Sequence, residues 1–279
     1  MVKSILLTVD GSAYTEPVLQ YGISFSRKFD AHLKVLTIID VRIFEWAVAI
    51  GVEGFAPIIP SPTYQEESQK LLDEKAEQVL KRAGEILKKE NVPYSLEKEN
   101  GNPVDVICEK ARLVDLVIMG AHGEFARWGE KMLGATVETV ARLIIKPILI
   151  VPRSYREIRR ILLAYDGSEN SSKALTMAAF LASSFQVPLT VLNVNDSREE
   201  GEQIVKETRE YLQAYRIPEV EEKVVAGDAP QKIVEVSDFI QADMIIMGSF
   251  GHSRIREAIL GSTTVQVMRK VQIPLLMVR

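Results

Sequence analysis

Gly248-Ser249-Phe250-Gly251 follows the apolar run Ile245-Ile246-Met247, and nine residues later Gly261-Ser262-Thr263 opens a segment striped with Val265, Val267, Met268 and Val271. Two glycines at the end of a strand let backbone amides approach an anion with no Cβ in the way. A glycine and a serine at a helix start add unpaired amides, a hydroxyl and the positive end of the helix dipole. Together these have the chemistry to hold a polyphosphate. Taken singly, each has a plain structural reading: Gly248 as a turn residue, Ser262 as a helix N-cap. The joint spacing after a buried strand is what points to an anion.

A second copy of the pattern, Gly120-Ala121-His122-Gly123, stands earlier in the chain, but ten residues separate Gly123 from Gly134, and Ala135 replaces the serine. His122 and His252 sit in or beside the two glycine turns, where each is a candidate phosphate contact or an ordinary solvated loop residue. Arg254 and Arg256 are read the same way, as neutralising charges or as solvated ones. With three histidines and one cysteine in the chain, no set with metal-ligand spacing exists, and no protein-built metal site is expected. There is no G-x-x-x-x-G-K-[ST] loop and no G-x-S-x-G elbow, so no catalytic residues are assigned and nothing is built for fast cleavage of a phosphoanhydride.

These residues are placed by a chain that is written twice. Ile5-Leu6-Leu7-Thr8-Val9-Asp10-Gly11-Ser12 returns as Ile161-Leu162-Leu163-Ala164-Tyr165-Asp166-Gly167-Ser168, and Asp115-Leu116-Val117-Ile118-Met119-Gly120 returns as Asp243-Met244-Ile245-Ile246-Met247-Gly248. Lys146-Pro147-Ile148-Leu149-Ile150-Val151 is echoed by Ile273-Pro274-Leu275-Leu276-Met277-Val278. The order is the same in both halves, which makes this a tandem duplication. The boundary falls in the charged stretch 153–157, giving domains 1–155 and 156–279. The changing offset between echoes places about 30 extra residues in the first half, at about 41–70. That insertion carries Phe44, Trp46, Phe55, Pro57, Pro60 and Pro62, and reads as a flap over the first cleft or as an interdomain prop.

Runs such as Ile5–Val9, Leu33–Ile39, Leu116–Met119 and Ile148–Val151 are apolar almost throughout, as in parallel strands covered on both faces. Between them lie helical periods, for example Glu66–Glu90 with Leu71, Leu72, Ala76, Val79, Leu80, Ala83 and Leu87 on one stripe. The alternation predicts an α/β fold: two tandem doubly wound, Rossmann-like domains, each with a five-stranded parallel sheet and helices on both faces. Such sheets bind ligands at the carboxyl ends of their strands, where the strand order reverses. The last strands, Ile148–Val151 and Leu275–Val278, would be exposed edges in lone domains, so the halves are expected to pair there.

The length of 279 residues, with 47% hydrophobic and 26% charged residues, fits two soluble globular domains. A net charge of −4 argues against nucleic acid or an anionic membrane as partner. The uncharged stretch Ala174–Asn195 is broken by Ser183, Ser184, Gln186 and Pro188 and reads as helix, turn and strand rather than a membrane span. The lone Cys108, among apolar residues, reads as an inert thiol, and with no export signal apparent the expected location is the cytoplasm.

The glycine-turn and Gly-Ser pattern, the Asp-Gly-Ser after each first strand and the closing Ile273–Val278 run resemble the nucleotide-binding universal stress proteins, and the resemblance covers both halves. It implies an ATP-binding tandem member with a regulatory, stress-response role, taking ATP, ADP or AMP, with Mg²⁺ arriving on the nucleotide. In the second half it implies that Ala164 and Val194 line an adenine pocket, that Asp166 and Gly248 meet the ribose, and that Gly251, Gly261, Ser262 and Thr263 hold phosphates. In the first half Asp10, Ile38, Gly120, Gly123, Gly134 and Thr136 are the corresponding contacts, in a cleft expected to be weaker because Ala135 lacks a hydroxyl and the extra residue must be absorbed as a bulge or a shifted helix start, with Thr136 able to take the serine role if the helix begins one residue later. Asp10 and Asp166 have a second reading as turn caps. The resemblance also implies pairing of the halves as an intramolecular pseudo-dimer, with homodimerisation and an unidentified protein partner as further expectations. The rival functions are a slow ATPase or nucleotide-dependent transferase on the same fold, and a nucleotide-free interaction scaffold.

Overall fold

In the computed structural model, which describes residues 2–40, 62–123, 134–249 and 260–279, the apolar runs become strands and the amphipathic periods become helices. The first half runs β1 (Ser4–Thr8), α1 (Thr15–Phe29), β2 (His32–Asp40), α2 (Pro62–Lys89), β3 (Tyr94–Gly101), α3 (Pro103–Ala111), β4 (Leu116–Gly120), α4 (Ala135–Leu143) and β5 (Ile148–Val151). The second runs β6 (Ile161–Ala164), α5 (Glu169–Phe185), β7 (Leu189–Val194), α6 (Arg198–Gln213), β8 (Val220–Val225), α7 (Ala229–Phe239), β9 (Met244–Gly248), α8 (Ser262–Lys270) and β10 (Leu275–Val278).

The strands form one ten-stranded sheet in the order β3-β2-β1-β4-β5-β10-β9-β6-β7-β8. Within each half all pairings are parallel. The halves meet where β5 and β10 pair antiparallel, with Leu149 opposite Leu276, Ile150 opposite Leu275 and Ile148 opposite Met277. Leu149 and Leu276 are equivalent residues of the duplication, so the seam is self-complementary, as a two-fold interface is. Both are fully buried. The edges left at the ends of the sheet are β3 and β8, whose Glu97, Lys98, Glu99, Glu221, Glu222 and Lys223 discourage further strand addition.

Two cores flank the sheet. One collects α1, α2, α5 and α6, through residues such as Val18, Phe25, Leu87, Ala178 and Leu212, and the other collects α3, α4, α7 and α8, through Ile107, Val140, Ile233 and Val267. Across the seam α1 and α5 share aromatics: Phe29 stacks on Phe180 at 5.0 Å between ring centroids, and Phe25 lies 5.4 Å from Phe185. On the other face Arg269 of α8 reaches Glu138 of α4 at 2.9 Å. The link between halves is tied down by the Tyr21 hydroxyl, which accepts from Arg156 N at 3.0 Å; burial pushes that phenol up to about 12.

The repeated aspartate before each fourth strand has a structural role. Asp115 Oδ2 accepts from Lys3 N and Ser4 N at 2.7 and 3.0 Å, and Asp243 Oδ2 accepts from Arg159 N at 3.0 Å, so each carboxylate caps the start of a neighbouring strand.

Some expectations need correction. The stripe on α2 begins later than its apolar residues suggest: Leu71 is 66% exposed, whereas Ala76, Ala83 and Leu87 are buried. α2 spans 28 residues against 16 for its counterpart α6, so the end of the expected insertion, 62–70, is spent lengthening this helix. Residues 41–61 of that insertion lie outside the described residues. Ala174–Asn195 resolves into helix, a left-handed cap at Gln186 (φ 57°) and strand, and no helix among the described residues is long and apolar enough to cross a membrane. Cys108 is half-buried in α3, where desolvation raises the thiol pKa.

Candidate functional site

The strand order turns back between β1 and β4 in the first half and between β6 and β9 in the second. A crevice must open beyond the carboxyl ends of those pairs. The residue types singled out in the sequence converge there.

Each first strand ends in an Asp-Gly turn. Asp10 Oδ1 accepts from Ser12 N at 2.9 Å and Asp166 Oδ1 from Ser168 N at 3.0 Å. The glycines that follow have φ of 81° and 79°, the left-handed region a side chain would strain. One oxygen of each carboxylate therefore caps its own turn. Asp10 Oδ2 faces the other way, 3.0 Å from where a Cβ on Gly123 would stand. Carboxylate and glycine turn are in contact only because position 123 has no side chain.

Gly120 and Gly248 are required by packing. A Cβ on Gly120 would lie 2.4 Å from the Cβ of Tyr14, and one on Gly248 would lie 2.9 Å from the backbone of Asn170 and Ser171. Tyr14 and Asn170 are equivalent positions beside the starts of α1 and α5, so in both halves a helix start is pressed onto the end of the fourth strand. This contact accounts for the first glycine of each turn.

The glycine turn and the next helix start are joined by one backbone bond. Gly134 N donates to Ala121 O at 3.3 Å, and Gly261 N donates to Ser249 O at 3.2 Å. Each glycine is the N-cap, with φ, ψ of −60°, 132° and −55°, 140°, and no side chain among the described residues caps either helix start. Of the two ways of absorbing the extra residue, the shifted helix start does not occur. α4 starts at Ala135 as α8 starts at Ser262, so Thr136 keeps the place of Thr263 and does not slide into the serine position. The core sets this register, because Val137 and Val140 bury the same face as Thr264 and Val267. The extra residue falls within 124–133, outside the described residues, as do Gly251, His252, Arg254 and Arg256.

Ala164 and Val194 are half-buried at the carboxyl ends of β6 and β7 and pack on the same face of the sheet, with Ile38 in the corresponding place on β2. Ala164 ends the strand that runs into the Asp166 turn, and Val194 and Ile38 lie one strand away from their aspartate turns.

Two residues join the site that sequence reasoning passed over. Thr264, buried in the first turn of α8, donates to Gly248 O and Ser249 O at 3.3 and 3.2 Å and ties the helix start to the strand end. Its signal was a hydroxyl on an otherwise apolar stripe, where the first half has Val137. Tyr14 places its hydroxyl 2.8 Å from His122 Nδ1, with ring centroids 5.4 Å apart; residues 108 apart in sequence carry no local signal of such a contact.

No group of three or more metal-ligating side chains occurs among the described residues. A cavity of about 840 Å³ lies elsewhere, at the amino-terminal ends of β6, β9 and β10, between the link and the ends of α7 and α8. Its charges are of both signs and largely paired, Arg156 with Asp243 and Arg159 with Glu157.

The model of the universal stress protein family matches this chain twice, over residues 1–152 and 157–279. Universal stress protein Slr1230 of Synechocystis is 29% identical over 100% of both chains. Stress response protein NhaX of Bacillus subtilis is 26% identical, covering 43% of this chain and 97% of its own. The crystal structure of a universal stress protein from Archaeoglobus fulgidus covers 99% of this chain and 98% of its own, with a TM-score of 0.77 and 23% identity, a likeness of fold.

Proposed function

The chain belongs to the universal stress protein family, and we propose that it is a regulatory binder of an adenine nucleotide, with ATP as the first ligand to test and the second cleft as the tighter site. The observation that supports this is the meeting, in both halves, of a helix start that no described side chain caps with a glycine turn at the switch point of the sheet. Uncapped amides at the positive end of a helix favour a phosphate. In the first half the absence of a side chain at Gly123 also supports this reading, since a Cβ there would stand 3.0 Å from Asp10 Oδ2.

In this reading Gly251, Gly261, Ser262 and Thr263 face the phosphates, Asp166 and Gly248 the ribose, and Ala164 and Val194 the base. Asp10, Gly120, Gly123, Gly134, Thr136 and Ile38 do the same in the first cleft. Mg²⁺ brought by the nucleotide would screen the phosphate charge. Ligand that binds one conformation better than another shifts the balance between them, which is how occupancy would reach a protein partner or a second copy of the chain in the cytoplasm. Binding, rather than turnover, is the proposed output.

Calorimetric titration with ATP tests this reading. Gly261→Val should abolish the tightest event, and Ala135→Ser should strengthen the weaker one by about tenfold, the worth of one added hydrogen bond to a charged group. A tightest event that survives Gly261→Val unchanged would move the principal site elsewhere. Absence of any binding in the wild type would leave the scaffold reading, and multiple turnover by the purified protein would favour the enzyme reading.

A further inference from the structure

At the amino-terminal ends of their strands the two halves are built to one plan and finished differently. Where the first half has Ser4, Ala111 and Leu143, the second has Arg160, Ser237 and Lys270. The connection from helix to fourth strand is also two residues longer in the second half. The stretch from helix N-cap to strand aspartate is 102–115 in one and 228–243 in the other, and α7 has 11 residues against 9 in α3. The longer connection turns through Gln241 at φ 53° before entering β9, and its Ile240 and Gln241 line the cavity of about 840 Å³ at this end of the sheet. The first half carries the same strands and the same seam without this finish, so the fold alone does not call for it.

The cavity combines an apolar wall with unspent charge. Val234, Ile240, Val271 and Ile273, all half-buried, supply the wall. Arg156 and Arg159 are occupied by Asp243 and Glu157, at 3.8 and 2.7 Å. Half-buried Arg160 and exposed Lys270 have no carboxylate at ion-pair distance among the described residues, and Asp238, at the end of α7, is the acid of the lining that has no cation. Ser237 also lines the cavity, 2% exposed, with no hydrogen-bond partner for its hydroxyl among the described residues. Two positive charges and one negative are left over, which suits a singly charged anion. A phosphate group, at about −1.5 to −2, would bring more charge than the lining offsets. We infer that this cavity is a binding site for a small carboxylate with an apolar body. Arg160, whose planar fork matches a carboxylate, and Lys270 hold the charge, Ser237 adds a donor, and the body lies on the wall. The site is at the far end of β6 and β9 from the proposed nucleotide cleft of the same half, and the inference does not rest on the nucleotide reading. Part of its lining is the link at 156–160, so an occupant touches the segment that joins the halves.

Phenylacetate is the ligand to test, followed on the Ile240 and Ile273 methyl resonances of the full chain. 2-Phenylethanol serves as a similar body without the charge, and inorganic phosphate as charge without a body. Phenylacetate should shift both methyls saturably and bind about tenfold more tightly than 2-phenylethanol. Arg160→Ser and Lys270→Leu, which install the first half's residues, should each weaken phenylacetate by about tenfold and leave 2-phenylethanol unchanged. Lys270→Arg, which keeps the charge, should retain most of the affinity. Lys270 is exposed at a helix end, and the remaining methyl resonances report whether each variant is folded, so lost binding is told apart from lost structure. Methyls that phenylacetate leaves unshifted, equal affinity for the charged and uncharged ligands, or affinity indifferent to both charge-removing substitutions would overturn the inference. Phosphate that shifts the same methyls at lower concentration than phenylacetate would overturn the ligand class.

Discussion

The first and second clefts are closed by the same backbone contact, Gly134 N to Ala121 O at 3.3 Å and Gly261 N to Ser249 O at 3.2 Å, and are lined by different side chains. Behind that contact the second half has a buried hydroxyl clamp, Thr264 on Gly248 O and Ser249 O, and Ser249 Oγ on Val278 O at 3.0 Å. The first half has Val137 in place of the clamp and puts its polar chemistry in front of the contact, in Tyr14 and His122. After duplication, the core that sets helix register held the backbone of both crevices alike. The side chains, which the core does not constrain, were free to diverge. Two sites can thus share a geometry and differ in what they recognise.

The largest effect expected is one that should be the same in both halves. Leu149→Ala and Leu276→Ala each remove a fully buried side chain from the self-complementary seam, and each should cost about 2–5 kcal/mol in denaturant unfolding. Strongly unequal losses would show that the seam is not energetically symmetric. Next comes the clamp. Thr264→Val, which gives the second half the first half's residue, leaves a buried carbonyl short of a partner and should cost about 1–2 kcal/mol. The reverse change, Val137→Thr, should gain no stability unless the hydroxyl finds the Gly120 and Ala121 carbonyls. A gain there, measured by the same unfolding curves, would mean that the two backbones are even more alike than their contacts indicate.

The smallest effect concerns Glu138, whose counterpart is Val265. Arg269 from the other half, and then Arg142, hold its carboxyl pKa below the usual carboxylate value. A depressed folded-state pKa contributes stability that is present above the unfolded value and is lost as pH falls through the folded one. Glu138→Gln should therefore cost about 0.5–1 kcal/mol near neutral pH, given partly exposed arginines, and the gap from wild type should close below the ordinary carboxylate range. A gap that stays constant down to acid pH would assign the loss to packing instead.

Much of this architecture was legible in the sequence because central parallel strands are closed to water on both faces. Ile5–Val9 and Ile148–Val151 stand out as unbroken apolar runs, and the duplication confirmed each by its echo. The third strands, Tyr94–Gly101 and Val220–Val225, were not legible, since as edge strands they carry charges where a buried strand would carry Val or Ile. In the site, Asp10, Gly123 and Gly134 were legible by type and spacing, and the structure brings them together. Which of the two ways of absorbing the extra residue applies was not legible, since residue number along a loop does not fix where the following helix docks. Tyr14 was invisible for a related reason, since its partner His122 becomes a neighbour only once the sheet has formed.

The antiparallel seam has a consequence for how the molecule could be read from outside. Because β5 and β10 run in opposite directions, every strand of one half points against every strand of the other. The two crevices, each beyond the carboxyl ends of its own strands, therefore open at opposite margins of the sheet. No single small molecule can bridge them, and filling one leaves the other sterically accessible. With both crevices binding as proposed, the chain would be a double-ended receptor with four states of occupancy, each presenting a different pair of ends to its surroundings. Among the described residues, the routes by which one end could influence the other are the three residue pairs that join the halves in the sheet, the helices packed over them and the link held by Tyr21.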